Sequence, residues 1–134
     1  MATIIVFLVI SLTPVTIVIS EVKAKDIVVP EVPFILKKIA WCESKGKQFD
    51  DDGSVHRGIK NPKDVGRYQI NETYHLETSM KFGMDIYSLK GNTEYAIYLY
   101  EKNGTQDWNW SKKCWADKTV SEEQWIIRVR SVNL

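Results

Sequence analysis

The chain has 134 residues, of which 44% are hydrophobic and 26% are charged, and its net charge at pH 7 is +1. This length fits one domain with one core, and the composition excludes a disordered chain, a collagen-like repeat and a protein with many membrane spans. The balanced charge gives no electrostatic basis for binding nucleic acid, so we expect no nucleic-acid partner.

The first element in chain order is an apolar segment over residues 2–20, which contains no Asp, Glu, Lys or Arg. Such a stretch is typical of the core of a secretory signal peptide or of a short membrane anchor. Ala24 supplies the small residue of a cleavage site, so we assign residues 1–24 to the signal or anchor and residues 25–32 to a linker. No Lys or Arg precedes the apolar stretch and Pro14 interrupts it, so both alternatives stay open. Either one places the rest of the chain outside the cytoplasm.

A helical pattern begins after the linker and opens the domain that we assign to residues 33–134. Apolar residues recur at spacings of three and four, which predicts a first helix over residues 32–45. The residues of this apolar stripe are Ile35, Leu36, Ile39 and Ala40. Pro33 falls in the first turn, where its missing N–H costs little. A polar loop rich in Asp, Gly, Asn and Pro is predicted over residues 46–65.

The remaining elements are short helices joined by loops. We predict a compact segment over residues 66–70, helices over 72–82 and 92–102, a short helical turn over 84–90 and an aromatic loop over 108–115. A final helix begins at Ser121-Glu122-Glu123-Gln124, which matches a capping box. Together these elements predict an all-α fold, or an α fold with a minor β element, with long loops.

The chain has two cysteines, Cys42 and Cys114. An even pair in an exported chain favours one disulfide, which would contribute about 2–4 kcal/mol by the loop-closure argument. The sequence contains neither a Cys-x-x-Cys nor a His-Glu-x-x-His spacing. We therefore expect no metal and no cofactor.

Glu43 is the candidate catalytic residue. It continues the stripe of Leu36 and Ile39, so its carboxylate is predicted to face the apolar side of the first helix. It also lies in the last turn, where the helix dipole disfavours a negative charge. A partly desolvated carboxyl group has a raised pKa, which suits a general acid near neutral pH. From periodicity alone, a surface Glu with the helical register shifted by one residue is the alternative.

Three segments, in this order along the chain, resemble motifs of the lytic transglycosylases and goose-type lysozymes. Residues 39–44 (IAWCES) are similar to the Glu-Ser signature that ends the first helix of that fold. Residues 66–70 (GRYQI) resemble the Gly-x-x-Gln-[Ile/Leu] segment that lines the cleft. Residues 92–99 (NTEYAIYL) are similar to the helix that carries a Tyr facing the catalytic Glu. The resemblance covers about residues 34–115 and leaves out the final helix.

The cysteines resemble those of the resuscitation-promoting-factor branch of these wall enzymes. In that branch a Cys directly before the catalytic Glu pairs with a Cys after a Trp-rich loop. Cys42, and Cys114 behind Trp108 and Trp110, fit this arrangement.

The resemblance implies a lysozyme-like transglycosylase domain whose partner is the glycan strand of peptidoglycan. Glu43 would protonate the glycosidic oxygen after N-acetylmuramic acid, and the 6-hydroxyl of that sugar would close onto C1 to give a 1,6-anhydro end. Tyr98 would hydrogen-bond Glu43 or the sugar. The other substrate contacts expected from the matching segments are Gln69, Tyr68 and Ser44.

Three tryptophans lie close together around Cys114. Their flat apolar rings suit the C–H face of a sugar, but they could equally pack over the disulfide. The three are Trp108, Trp110 and Trp115. We expect a split between rings that contact sugar and rings that pack in the core, with at least one ring buried. Trp108 and Trp110 are the candidate substrate contacts.

The chain also departs from the family. The loop after Glu43 is longer than is common there, Arg67 stands where an apolar residue is usual, and the Ala-Tyr-Asn-Ala-Gly motif of larger members is absent. Hydrolysis of the same bond needs a second carboxylate or an ordered water. The loop offers four candidates, Asp50, Asp51, Asp52 and Asp64.

Alternatives to the transglycosylase therefore stay open. One is a muramidase that hydrolyses the same bond, and another is a non-catalytic peptidoglycan-binding protein with the same fold. The run Asp50-Asp51-Asp52-Gly53 predicts an Asx-turn in preference to a calcium loop. We expect a bacterial monomer, either secreted or held by residues 2–20 at the outer face of the cytoplasmic membrane.

Overall fold

The protein is mostly helical, with one small β-sheet, in a computed structural model that describes residues 31–117 and 119–132. The elements in chain order are α1 (Phe34–Ser44), β1 (Asp64–Val65), β2 (Ile70–Asn71), α2 (Glu72–Lys81), α3 (Leu89–Asn103), a 3₁₀ helix (Gln106–Ser111), α4 (Lys112–Trp115) and α5 (Glu122–Val132). The prediction of an α fold with a minor β element is confirmed. The assigned signal or anchor, and the linker as far as residue 30, lie outside the described residues. None of the helices in the described ranges has both the length and the apolar character needed to cross a bilayer.

α1 begins directly after Pro33 and ends in a left-handed turn. Leu36 and Ile39 are fully buried, so the predicted apolar stripe does face the core. Lys45 and Gly46 follow the helix with φ angles of 59° and 79°, and their N–H groups donate to carbonyls of α1 at 3.0 Å. These bonds satisfy carbonyls that the end of a helix leaves without a partner. The predicted register of α1 is confirmed.

The sheet is a single antiparallel pair between β1 and β2. Asp64 pairs with Asn71 and Val65 pairs with Ile70, and residues 66–69 form the turn between them. The predicted compact segment is therefore the end of a short hairpin. Val65 and Ile70 are buried, so the hairpin packs its apolar face on the core.

Two buried amide side chains hold the turn 66–69 in place. Asn92, in α3, donates to two backbone carbonyls at 2.9 and 3.1 Å and accepts from the N–H of Tyr68 at 3.0 Å. Gln48, in the loop after α1, donates to two carbonyls at 3.0 and 3.3 Å and accepts from the N–H of Arg67 at 2.9 Å. Because buried amides need their partners, these bonds fix the position of the turn.

Side-chain caps set the starts of α2 and α3. Asn71 accepts from the N–H of Thr73 at 3.1 Å, and α2 starts at the predicted position. Ser88 accepts from the N–H of Gly91 at 3.0 Å, so α3 starts at residue 89 and not at the predicted residue 92. A Ser at the N-cap supplies an acceptor to a free helical N–H group, which extends the helix to that point.

The segment over residues 108–115, predicted as an aromatic loop, belongs to the 3₁₀ helix and α4. Its indole rings are tied into the core, since Trp108 Nε1 donates to the carbonyl of Tyr68 at 3.0 Å and Trp115 Nε1 donates to the carbonyl of Trp108 at 3.1 Å. Helices this short are marginal by themselves, so these tertiary contacts and the Cys114 bridge stabilise them.

α5 begins with the predicted capping box and packs against α1. The hydroxyl of Ser121 accepts from the N–H of Gln124 at 3.2 Å, and the Gln124 side chain accepts from the N–H of Ser121 at 3.0 Å. Trp125 is buried, with Lys38 Nζ 5.3 Å from the centroid of its ring. The same ammonium group donates to the carbonyl of Asp117 at 2.5 Å. Lys38 therefore fastens the final helix to α1.

Candidate functional site

A cleft of about 900 Å³ opens at the carboxyl-terminal end of α1, where Glu43 lines it. The loop between residues 56 and 64 and the hairpin contribute further lining residues. α2, α3 and the 3₁₀ helix contribute the rest. The polar or aromatic side chains that line it include His56, Asn61, Asp64, Gln69, Tyr74, His75, Asp107, Trp108, Trp110 and Ser111.

Glu43 is half-buried in the last turn of α1, and a hydroxyl group from the 3₁₀ helix donates a hydrogen bond to its carboxyl group. Ser111 Oγ donates to Glu43 Oε1 at 2.5 Å. Burial raises the pKa of Glu43 above 4.5 because a desolvated carboxylate is disfavoured. The bond from Ser111 lowers this pKa and the negative charge of Asp64 raises it, and the balance remains a raised value. Glu43 therefore keeps its proton to a higher pH than an ordinary surface carboxyl.

The predicted disulfide is present and lies beside this carboxyl group. Cys42 and Cys114 are bonded, with Cα atoms 5.9 Å apart, and they join α1 to α4. Cys42 directly precedes Glu43, and Ser111 comes three residues before Cys114. The bridge therefore brings the hydroxyl of Ser111 to the carboxyl of Glu43 across 68 positions of sequence.

Ser111→Ala is expected to raise the pKa of Glu43 further. The hydroxyl donates to the carboxylate, so its loss removes the interaction that favours the charged form. NMR titration of the Glu43 side-chain carboxyl carbon measures the shift. Ser54→Ala is the matched control, because its hydroxyl bonds to the exposed Asp52 instead. An unchanged titration curve for Glu43 in Ser111→Ala would contradict this assignment.

Asp64 is the second carboxylate of the cleft. It lies at the start of β1, and its Oδ1 accepts from Asn61 Nδ2 at 3.0 Å and from Asn71 Nδ2 at 2.6 Å. Two amides thus hold this carboxylate in one position. Its charge acts on Glu43, so the two side chains face the same space.

The other three aspartates of the long loop do not line the cleft. Asp50 Oδ1 lies 2.7 Å from His56 Nδ1, and Asp51 lies 3.6 Å from the ammonium group of Lys47. Asp52 Oδ1 accepts from the N–H and the hydroxyl of Ser54, at 2.9 and 2.6 Å, which lowers its pKa. The predicted Asx-turn is confirmed.

Three of the predicted substrate contacts, Gln69, Trp108 and Trp110, line the cleft. Gln69 Nε2 donates to the carbonyl of Gly66 at 2.9 Å, which holds the amide within its own turn. Trp108 is 4% exposed, whereas Trp110 is 102% exposed. The expected split between buried and exposed tryptophans is confirmed, and Trp110 is the ring free to contact a ligand.

Ser44 and Tyr68, predicted as substrate contacts, are buried and do not line the cleft. Ser44 Oγ donates to the carbonyl of Arg67 at 2.7 Å, which ties α1 to the hairpin turn. The N–H of Tyr68 donates to Asn92, and its carbonyl accepts from Trp108. The hydroxyl of Ser44 and the backbone groups of Tyr68 thus have partners inside the protein, and these bonds join α1, the hairpin turn, α3 and the 3₁₀ helix.

Tyr98 was predicted to face Glu43, and its position does not fit that role. It is absent from the cleft lining, and its ring centroid lies 5.0 Å from that of Phe82 and 5.5 Å from that of Tyr95. The hydrogen bond to Glu43 that we expected from this tyrosine comes from Ser111.

The sequence interpretation also missed His75. This residue of α2 lines the cleft, and its Nδ1 lies 3.1 Å from the buried hydroxyl of Tyr95. Burial lowers the pKa of His75, the more so because Lys102 is near, while Asp107 opposes this effect. The imidazole therefore favours its neutral form. The spacing of His75 and Tyr95, which lie on different helices, gave no signal in the sequence.

Within the described ranges, no group of three or more His, Cys, Asp or Glu side chains is arranged to hold a metal ion. Comparison of the chain with protein-family models, with curated proteins and with solved structures gives no match. Function is therefore inferred from the residues of the cleft and from the sequence motifs.

Proposed function

We propose that this protein is a lytic transglycosylase of the bacterial cell envelope, which cleaves peptidoglycan between N-acetylmuramic acid and N-acetylglucosamine. The observation that carries the proposal is Glu43, a half-buried carboxyl group with a raised pKa at the edge of a cleft. A raised pKa is the change that a carboxyl group needs in order to act as a general acid closer to neutral pH. The Glu-Ser and Gly-x-x-Gln-Ile motifs supply the substrate class by resemblance.

In the proposed reaction one carboxyl group acts twice. Protonated Glu43 donates its proton to the glycosidic oxygen, and the bond from that oxygen to C1 of the muramic acid breaks. The carboxylate then accepts the proton of the 6-hydroxyl as its oxygen bonds to C1, which gives a 1,6-anhydro end and consumes no water. Ser111 holds the carboxyl group in position through both steps.

The dimensions and lining of the cleft suit a sugar chain. A volume of about 900 Å³ is near the upper end of ordinary ligand pockets, which run to about 1,000 Å³. Trp110 presents an exposed aromatic ring to it, and such a ring stacks well on the C–H face of a pyranose. Gln69 adds an amide group, which suits the hydroxyl and N-acetyl groups of these sugars.

The disulfide supports an extracytoplasmic location, because structural disulfides persist in oxidising compartments. The uncharged segment over residues 2–20 supports the same location. We therefore place the protein outside the cytoplasm, secreted or at the outer face of the membrane.

The position of Asp64 supports a second candidate function, that of a muramidase. In an inverting hydrolase a second carboxylate, about 6.5–9.5 Å from the acid, activates a water molecule. Asp64 is a carboxylate held by two amides, and it shares the cleft with Glu43.

Product analysis tests the proposal directly. Purified peptidoglycan is digested with the full chain, and the soluble fragments are identified by mass spectrometry. We expect fragments that end in 1,6-anhydro-N-acetylmuramic acid. Fragments with reducing ends would show that the protein is a muramidase and not a transglycosylase. If folded, oxidised protein releases no soluble fragments, a non-catalytic binding role is the remaining alternative.

Asp64→Asn separates the two reactions a second time. The amide keeps the size of the side chain but cannot take a proton from water. A transglycosylase should keep its cleavage rate within a few-fold, whereas a hydrolase that uses Asp64 as its base should lose about a hundredfold or more. The rate of fragment release measures this. Asp51→Asn is the control, since Asp51 is exposed and outside the cleft.

A further inference from the structure

One wall of the cleft carries a cation without a partner. Lys60 is exposed, and it is the sole Lys or Arg among the described residues that line the cleft. No carboxylate in the described part of the chain forms a salt bridge with it. Lys63, in the same loop, differs, because its Nζ lies 3.1 Å from a carboxylate oxygen of Glu72. The charge of Lys60 is therefore available to a ligand.

The loop that carries Lys60 is held rigidly. Arg57 donates to the carbonyl of Pro62 at 2.7 Å and to Glu72 at 3.1 Å. The N–H of Gly58 donates to the carbonyl of Asp64 at 2.9 Å. Because these bonds order the loop before any ligand arrives, binding at Lys60 loses little backbone freedom.

Lys60 is joined in sequence to a residue that contacts Asp64, one of the acidic side chains of the cleft. Its neighbour Asn61 donates to the carboxylate of Asp64 at 3.0 Å, and the charge of Asp64 acts on Glu43. Because Lys60 and these two carboxyl groups line one cleft, a group bound at Lys60 belongs to the same ligand as the sugar bound at the carboxyl groups.

An apolar side chain accompanies the cation. Ile59 also lines the cleft and is 98% exposed, so it has no packing partner within the protein. An isoleucine and a lysine side by side suit a short alkyl arm that ends in a carboxylate, with the methyl groups on the alkyl part and the ammonium on the charge.

The other charges of the cleft restrict where such an arm can bind. Glu43, Asp64 and Asp107 line the cleft, and a ligand carboxylate close to them would be repelled. His56 lines it too, with its Nδ1 directed to Asp50. The wall with Lys60 is thus the favourable place for a negative group, which fixes the orientation of the ligand.

We infer that Ile59 and Lys60 form a subsite for the alkyl carboxylate that branches from a sugar in the cleft. The inference rests on the proposed function and makes it more specific. The subsite distinguishes an acidic glycan, with a lactyl arm or a peptide on that arm, from a neutral chain of N-acetylglucosamine.

Binding titrations test the subsite without depending on cleavage. Full-length Glu43→Gln protein in mild detergent is titrated calorimetrically at low ionic strength, alone and combined with Lys60→Gln or Lys63→Gln. The ligands are soluble strands with peptides, strands stripped of peptides that keep the lactyl carboxylate, and stripped strands whose carboxylates have been converted to amides. Lys63→Gln is the matched control, because it removes the same charge from the same loop outside the cleft.

We expect Lys60→Gln to weaken binding of carboxylated strands by about threefold to fivefold, the size of a partly exposed ion pair. Binding of the amidated strands should not change. If the variant loses affinity for the stripped strands, the group bound at Lys60 is the lactyl carboxylate. If it loses affinity only for peptide-bearing strands, the group is a carboxylate of the peptide.

Three results would overturn the subsite. The first is that the Lys60 variant and its parent bind both carboxylated strands with equal affinity. The second is that the Lys63 variant loses as much affinity as the Lys60 variant. The third is that no strand binds. The proposed function fails separately: Lys60-dependent binding by a wild-type protein that releases no fragments refutes the enzyme and leaves the subsite.

Discussion

Glu43→Gln is expected to lower the rate of peptidoglycan cleavage by about a thousandfold, within the range lost when a general acid is removed. Glutamine has nearly the same size, and its carbonyl can still accept the hydrogen bond from Ser111. It cannot donate a proton to a glycosidic oxygen. The rate of soluble-fragment release from purified peptidoglycan measures the loss.

The same variant should be at least as stable as the wild type at neutral pH. Glu43 has a raised pKa in the folded state, so the folded state binds its proton more tightly than the unfolded chain does. Stability from this group is present below its unfolded pKa, near 4.5, and is lost as the pH rises toward the folded value. Glutamine has no such loss. Urea unfolding of both proteins at acidic and neutral pH measures this difference in stability. A variant that still cleaves peptidoglycan, or one that is unfolded, would contradict the assignment of Glu43.

Gly66→Ala is expected to lower the free energy of unfolding by about 3 kcal/mol, from the sum of backbone strain and overpacking. Gly66 has a φ of +72°, which an alanine adopts with strain. Its added Cβ would also lie 2.6 Å from the amide groups of both Asn92 and Gln48. These are the two side chains that hold the hairpin turn, so the methyl group displaces buried hydrogen-bonded partners.

Gly53→Ala is the control for this prediction. Its φ is +84°, but no atom lies within 4 Å of an added Cβ. It should therefore show the strain alone, about 1–2 kcal/mol. Urea denaturation of both variants gives the comparison. Equal losses in the two variants would mean that the contacts with Asn92 and Gln48 contribute nothing.

The first helix and its acid were predictable because their signal is local. The stripe of Leu36 and Ile39 has helical spacing, and burial of that stripe decides where Glu43 points. The capping box at Ser121 is equally local, since both of its hydrogen bonds span three residues. The minor sheet was expected only in general terms, because two-residue strands leave no alternating pattern.

The partner of Glu43 was not predictable, because its position depends on contacts that are distant in the chain. Ser111 lies at the carboxyl group because the disulfide and the buried Trp108 hold the 3₁₀ helix beside α1. A serine in an aromatic stretch carries no periodic signal of such a role. The sequence did contain one indication, the proximity of Ser111 to Cys114.

The misplacement of Tyr98 has a different cause, which is the choice among neighbouring tyrosines on α3. Tyr95 and Leu99 are buried in the core, and Tyr98 falls on the adjacent face beside Phe82. Residues one position apart on a helix point about 100° apart, so a motif that names a tyrosine without its register does not determine which face of α3 that tyrosine occupies.

The bond between Cys42 and Cys114 makes the intervening chain a covalent ring. Every described residue that lines the cleft, from Cys42 to Ser111, belongs to that ring. A protease cut at an exposed position such as Gly53 would open the ring without separating the cleft walls. The constraint on the intact unfolded chain is worth about 4 kcal/mol by the loop-closure argument. Both chain ends lie outside the ring, so extensions or fusions there leave its length and closure unchanged.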